Sequence, residues 1–189
     1  KVVKNFNIIE IMKQIKCLIV GDGTVGKTSL VMMYLLNSFP HDFLPAVFDN
    51  YTCSILPKYK NKPFIPQIVD TIALEDYKSH RIVTYQDADV FIICFSLISQ
   101  VSMQNVETLW IPEIKENCPN VPYILVGTKS DLRENSTENI ITNSIGKKMK
   151  NKIGAEKYVE CSSLKAYNVT KVFETAFEVG FQRKKKCKS

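Results

Sequence analysis

The run Gly21-Asp22-Gly23-Thr24-Val25-Gly26-Lys27-Thr28 constrains this chain more than any other feature, because it follows directly on the unbroken apolar stretch Ile15 to Val20. Its spacing, G-x-x-x-x-G-K-[ST], is that of a phosphate-binding loop set between a buried strand and a helix. Glycines there let backbone N–H groups close around phosphate oxygens, and the start of the following helix adds partial positive charge. Lys27 can reach the β- and γ-phosphates, and the Thr28 hydroxyl is placed to ligate Mg²⁺. Gly23, Thr24, Val25, Gly26, Lys27, Thr28 and Ser29 are the candidate phosphate-side residues.

Short β-type runs alternate with helical patterns along the rest of the chain. After Ile15–Val20, a helix is expected from about Gly26, with Leu30, Met33 and Tyr34 at core-facing spacing. Tyr51–Leu56 and Phe64–Val69 read as two strands separated by the polar turn Lys58–Lys62. Val90–Ser96 and Tyr123–Val126 are buried-strand runs, with a helix over Gln104–Glu116 between them. Tyr158–Cys161 is the last strand and Lys171–Phe181 the last helix. This alternation predicts an α/β fold, a mostly parallel sheet with helices on both faces. Ligands then bind at the carboxyl ends of the strands. The expected organisation is an N-terminal extension over 1–13, one nucleotide-binding domain over 14–181 and a basic tail over 182–189.

The segment after Tyr123–Val126 selects the base. Thr128-Lys129-Ser130-Asp131 puts a carboxylate where it can accept from both N1–H and the 2-amino group of guanine, a donor pair that adenine lacks. Adenine would leave that buried carboxylate unpaired, which makes its rejection strong. The Lys129 stem can lie flat on the base. After the last strand, Cys161-Ser162-Ser163-Leu164 can offer backbone N–H groups to guanine O6.

Composition excludes several other classes. The 189 residues carry 25 Lys and Arg against 19 Asp and Glu, a net charge of +6. Arg183, Lys184, Lys185, Lys186 and Lys188 supply five of those positive charges, so the remainder is nearly neutral. A folded nucleic-acid reader carries its basic residues across one face, and no nucleic-acid partner is expected. The six cysteines are scattered without metal-like spacing, which points to a reducing, cytoplasmic setting. No apolar run reaches the 18 or so residues of a membrane span, and Glu10 and Lys13 break the apolar stretch a secretory signal would need. His41 and His80 read as surface residues, Trp110 with Ile111 and Ile114 as core, and Cys118 as structural. Tyr77 and Arg81 fit an exposed helix face or a partner contact equally well.

From Ile15 to Phe181 the chain resembles the Ras-like small GTPases, and the Rho/Rac branch in particular. Val47-Phe48-Asp49-Asn50-Tyr51, Phe91-Ile92-Ile93-Cys94-Phe95-Ser96-Leu97, Cys118-Pro119-Asn120-Val121-Pro122 and Val126-Gly127-Thr128-Lys129 carry that resemblance, with Asp131-Leu132-Arg133. It implies a six-stranded sheet with one antiparallel edge pair, and GTP or GDP bound with Mg²⁺. It implies that Phe39 flanks the guanine, that Asp70 holds Mg²⁺ through water, and that Val47, Phe48, Asp49, Asn50 and Tyr51 form the effector face in switch I. Effector proteins, an exchange factor and a guanine-nucleotide dissociation inhibitor are the implied partners, with cytoskeleton-type signalling.

Against that family pattern, the switch I Thr that ligates Mg²⁺ is Ala46. The usual D-T-A-G-Q of switch II is Asp70-Thr71-Ile72-Ala73-Leu74, with Ala73 in the glycine position and Leu74 in that of the water-orienting Gln. The insert helix of Rho members is expected to be absent between Glu134 and Lys152. Cys187 follows the Lys run as the prenylated Cys does in Rho proteins, although only Lys188 and Ser189 come after it. These readings predict a Rho-like switch with impaired hydrolysis, peripheral on the cytoplasmic face of a membrane, the plasma membrane first, with the basic tail on acidic lipid. An ordinary regulated GTPase with partner-supplied catalytic groups, or a nucleotide-bound scaffold that does not switch, are the competing readings.

Overall fold

The computed structural model describes residues 13–40, 49–52, 57–59, 61–133 and 140–186. Six strands form the main sheet: β1 Gln14–Gly21, β2 Asp49–Thr52, β5 Ile65–Asp70, β6 Val90–Ser96, β7 Tyr123–Thr128 and β8 Tyr158–Glu160. Their order is β2-β5-β1-β6-β7-β8, with β2 antiparallel to β5 and every other pair parallel. Five helices flank it: α1 Lys27–Leu36, α2 Lys78–Thr84, α3 over 100–117, α4 Asn143–Ile153 and α5 Val169–Lys186.

The apolar runs are buried on both sides because each residue of a strand faces one of two cores. Ile15, Cys17 and Ile19 of β1, with Val90, Ile92 and Cys94 of β6, point to the side of α1 and α5. Leu18 and Val20, with Phe91, Ile93 and Phe95, point to the side of α3 and α4. β1 lies at the centre, and its carboxyl end delivers the phosphate loop into the crevice.

Several elements differ from the sequence reading. The edge pair is Asp49–Thr52 with Ile65–Asp70, and the expected polar turn is itself a small hairpin, β3 Lys58–Tyr59 with β4 Lys62–Pro63. Tyr59 stacks on Phe181 with ring centroids 4.6 Å apart, so this hairpin is drawn to α5 and does not extend the edge strands. Helix α3 begins at Gln100, where the Ser99 hydroxyl caps the Ser102 N–H, and contains a wide π-turn over Val106–Trp110. Pro112 follows at once; it has no N–H to donate to the carbonyl four residues back, which favours such a bulge. Helix α4 was not foreseen, because its Lys-rich 147–152 reads as polar chain and only Gly146, Met149 and Ile153 are buried. Helix α5 runs on to Lys186: Arg183 donates to the Ala88 carbonyl, and Lys184 pairs with Asp89 at 2.8 Å and reaches the Gln14 carbonyl. Two of the five tail charges are thus fixed to the base of the sheet.

Arg81 corrects the reading of an exposed helix face. It is fully buried, with its guanidinium in a two-bond pair with Glu113: Nε to Oε1 at 2.9 Å and Nη2 to Oε2 at 2.7 Å. The Tyr85 hydroxyl donates to the same Glu113 carboxylate at 2.6 Å. Burial alone would raise the Glu113 carboxyl pKa, but the Arg81 and Tyr85 hydrogen bonds outweigh it and hold the group below its usual range. Such a depressed carboxyl contributes stability above its unfolded pKa, about 4.3, and loses it as the pH falls through the lower folded value. Glu113→Gln should therefore cost about 3 kcal/mol at neutral pH. In denaturant titrations the gap to wild type should narrow below about pH 4; a gap that stays constant would contradict this account.

Candidate nucleotide-binding site

The loop between β1 and α1 turns through three left-handed positions: Gly21 at φ 140°, Thr24 at φ 60° and Gly26 at φ 102°. At Gly21 a β-carbon would overlap the Cys94 carbonyl oxygen of β6, so only glycine lets β1 turn there. Lys27 folds back over the loop. Its ammonium donates to the carbonyls of Gly21 at 2.8 Å and Asp22 at 2.7 Å, and burial lowers its pKa against the opposing pull of Asp70. A buried cation whose described hydrogen bonds go to carbonyls is suited to an anionic partner such as phosphate.

The metal side is formed by two oxygen groups. β5 runs alongside β1 with Asp70 opposite Ile19, which brings its carboxylate to the start of α1. The Thr28 hydroxyl donates to Asp70 Oδ2 at 2.5 Å. An alcohol and a carboxylate, both hard oxygen donors, fit Mg²⁺ together with phosphate oxygens and water. Thr71 secures the same turn by donating to the Ile19 carbonyl at 2.7 Å.

The base side is welded to the phosphate side by one buried residue. The Thr128 hydroxyl lies 2.5 Å from the Val25 carbonyl oxygen and 2.9 Å from that of Phe95. Lys129 follows in the left-handed region at φ 58°, and its stem passes over Gly26. Asp131 sits in the 3₁₀ turn Ser130–Leu132, which is held by a bond from the Ser130 N–H to the Cys161 carbonyl. Burial, with the charges of Asp131 and Glu160, pushes the Cys161 thiol up to about 12. That thiol is inert at neutral pH.

One expectation narrows here. The Cys161 N–H donates to the Gly127 carbonyl and the Ser162 N–H to the Tyr167 carbonyl. Neither is available to a base, so Ser163 and Leu164 are the donors this loop retains among the described hydrogen bonds. Ser162 is a structural residue, its hydroxyl accepting from the Lys165 N–H. Ser29 lies half-buried in the first turn of α1, and Phe39 half-buried just beyond that helix. Asp49, Asn50 and Tyr51 belong to edge strand β2. His41, Ala46, Val47, Phe48 and Cys187 lie outside the described residues, as do 134–139 of the segment expected to lack the insert helix.

Ala73 and Leu74 follow Asp70 in a coil tied down by Arg81, whose Nη1 donates to the carbonyls of Ile72 at 2.8 Å and Leu74 at 3.3 Å. The Leu74 side chain is 57% exposed, a large apolar group facing solvent. Ala73 is outside the left-handed region, so its β-carbon brings no backbone strain.

Sequence reasoning missed the supports of the loop. Asp22 accepts from Trp110 Nε1 at 2.7 Å and from Asn105 Nδ2 at 2.7 Å. A polar residue inside the glycine-rich run was a visible signal that something must satisfy it. Its partners lie more than 80 positions away and could not be named.

The family model for the Ras family matches residues 16–180 of this chain. The chain belongs to the Ras family, and is accordingly a small GTPase, a switch that binds guanine nucleotide. The residues present fit that ligand: Lys27 and the loop for phosphate, Thr28 and Asp70 for Mg²⁺, and Asp131 with the Lys129 stem for the base.

Two outcomes test this geometry. Replacing Asp131 with Asn should shift preference from guanine to xanthine nucleotides in competition binding; unchanged guanine preference would place the base elsewhere. Thr24 is β-branched yet left-handed, a conformation costing about 1–2 kcal/mol. Thr24→Gly should relieve part of that strain and raise the melting temperature of the nucleotide-bound protein by a few degrees. A lowered melting temperature would show that the Thr24 side chain contributes more than its backbone costs.

Proposed function

We propose that this chain is a Rho-like guanine-nucleotide switch whose intrinsic and partner-stimulated hydrolysis is impaired, and that it signals to effector proteins from a membrane surface. The observation that carries the reading is Leu74. Hydrolysis in this class is positioning and charge stabilisation, with a Gln orienting the attacking water. Leu74 has neither donor nor acceptor for that water. Ala46 removes a hydroxyl from the Mg²⁺ ligand set that the family supplies in switch I, which weakens closure over the γ-phosphate without affecting the base or β-phosphate contacts. Thr28 and Asp70 would hold Mg²⁺, which would supply neutralisation of the phosphate charge, and Lys27 would bind the phosphates themselves.

The losses fall on one side of the ligand. The groups for guanine and for the β-phosphate are complete, while those for γ-phosphate turnover are not. A chain of this kind retains nucleotide and releases phosphate slowly. The Rho-like stretch from Val47 to Tyr51, and the segment from Glu134 to Lys152 that is short of the Rho insert, support an effector set that overlaps with Rho members except for partners that read the insert. No helix among the described residues is long and apolar enough to cross a membrane. Membrane attachment is assigned to prenylation of Cys187 with Lys185, Lys186 and Lys188 beside it, since one lipid chain alone binds only reversibly.

The chain purified from cells should carry mostly GTP; mostly GDP would favour a regulated enzyme. In single-turnover assays, wild type should not respond to a Rho-type GAP, whereas Leu74→Gln should regain at least a tenfold acceleration. Equal responses would remove Leu74 as the cause. Cys187→Ser should release the full-length protein from membranes in cell fractionation, and unchanged membrane association would refute the lipid anchor.

A further inference from the structure

Trp110 stands between the phosphate loop and the coil after Asp70. On one edge its indole Nε1 donates to Asp22 Oδ1 in the phosphate loop at 2.7 Å. Over its face lies the Arg81 guanidinium, 5.0 Å from the ring centroid. Arg81 in turn holds the Ile72 and Leu74 carbonyls of switch II and is fixed from behind by Glu113, itself held by Tyr85. Trp110 and Glu113 belong to α3 and are 1% and 3% exposed. The π-turn Val106–Trp110 ends at this tryptophan, and Pro112 prevents α3 from closing into regular turns there.

We propose that Trp110 is a positioning residue that couples the phosphate loop to switch II, so that occupancy of the phosphate site is passed to residues 72–78 through Asp22, Trp110 and Arg81. This deepens the nucleotide-switch reading and rests on it. The physical basis is continuity from half-buried Asp22 to the buried Trp110 and Arg81. The Asp22 carboxylate, the indole and the guanidinium are in direct contact, and a buried guanidinium cannot lose one partner without strain on the rest. In this chain the coupling has added weight, because Leu74 and Ala46 lack the water-orienting and Mg²⁺-ligating groups that the family pattern has at those positions.

Asn105 supplies the control. It donates to the same Asp22 carboxylate at 2.7 Å, and the described hydrogen bonds give it no link to switch II. Trp110→Phe keeps the ring over Arg81 and removes only the N–H; Asn105→Ala removes the other donor. Each variant should speed release of labelled GDP by about tenfold, the lower end of the range expected for one hydrogen bond to a charged group. Trp110→Phe alone should also raise amide hydrogen exchange of residues 72–78, at least threefold, with the melting temperature reported beside it. Equal effects of the two variants on 72–78, or no effect of either, would overturn the coupling.

Tyr85→Phe tests the reverse direction, and serves where Trp110→Phe does not fold. It loosens Glu113 without touching Asp22. Because coupling between sites is reciprocal in binding free energy, it should weaken GDP affinity about twofold while raising exchange at 72–78; raised exchange with unchanged affinity would overturn the proposal. Trp110 is the only tryptophan of the chain, so its emission should shift when GDP is removed from wild type and shift less in Tyr85→Phe; an equal shift would also count against the coupling. The exchange measurement on nucleotide-free protein separates two failures. If wild type binds no guanine nucleotide, the functional reading falls, while the Trp110→Phe effect on 72–78 still decides the coupling.

Discussion

At Gly21 the central strand passes so close to the Cys94 carbonyl of β6 that no side chain fits between them. Everything in the site follows from that approach. It allows β1 to end in a left-handed turn, which sends the chain around the space where phosphate binds and into α1. Lys27 is then carried back over the turn to the Gly21 and Asp22 carbonyls, and Thr28 arrives beside Asp70 at the end of the neighbouring strand. The same parallel register places Thr128, two strands away, against Val25. One buried hydroxyl joins the base-reading loop to the phosphate loop, so the two halves of the pocket cannot move independently.

A second constraint acts at right angles to the first. The buried Arg81–Glu113 pair is not needed to fill space; apolar residues of similar volume often do as well or better. It binds α2 and the switch II coil to α3, and its neighbour Trp110 reaches the phosphate loop. Stability and function share these residues. A substitution at Glu113 or Arg81 is therefore a change in the fold and in the switch at once, whereas Leu74, exposed on the surface, can be changed with little effect on folding.

The combination separates the candidate ligand site from the coil that carries Ala73 and Leu74. The candidate ligand groups Lys27, Thr28 and Asp131 follow directly on strands β1 and β7, with Asp70 at the end of β5. Ala73 and Leu74 lie instead in the coil after β5 ends at Asp70. Ala73 lies outside the left-handed region and Leu74 points to solvent, so neither disturbs the sheet that positions the candidate ligand groups.

Local chemistry was legible from the chain alone wherever ligand recognition is contiguous. The loop from Gly21 to Thr28 and the Thr128–Asp131 segment each carry their function within a few residues, and the buried strands announce themselves as apolar runs. The parallel order of the sheet followed from the alternation of those runs with helices. What the linear order does not contain is which distant groups satisfy a buried charge. Arg81 reads as surface because a lone arginine usually is; only the packing of α2 on α3 reveals Glu113 and Tyr85. Asp22 needs Trp110 and Asn105, brought to it by a π-turn whose cause, Pro112, is visible but whose direction is set by the core. The basic run at the carboxyl terminus reads as a tail for acidic lipid, yet Arg183 and Lys184 are held by Ala88, Asp89 and Gln14 once α5 lies along the sheet. Sequence determined the ligand and the elements that bind it, because those contacts are local. Tertiary structure alone decided how the elements are coupled, because that coupling runs through buried polar groups whose partners are far apart in the chain.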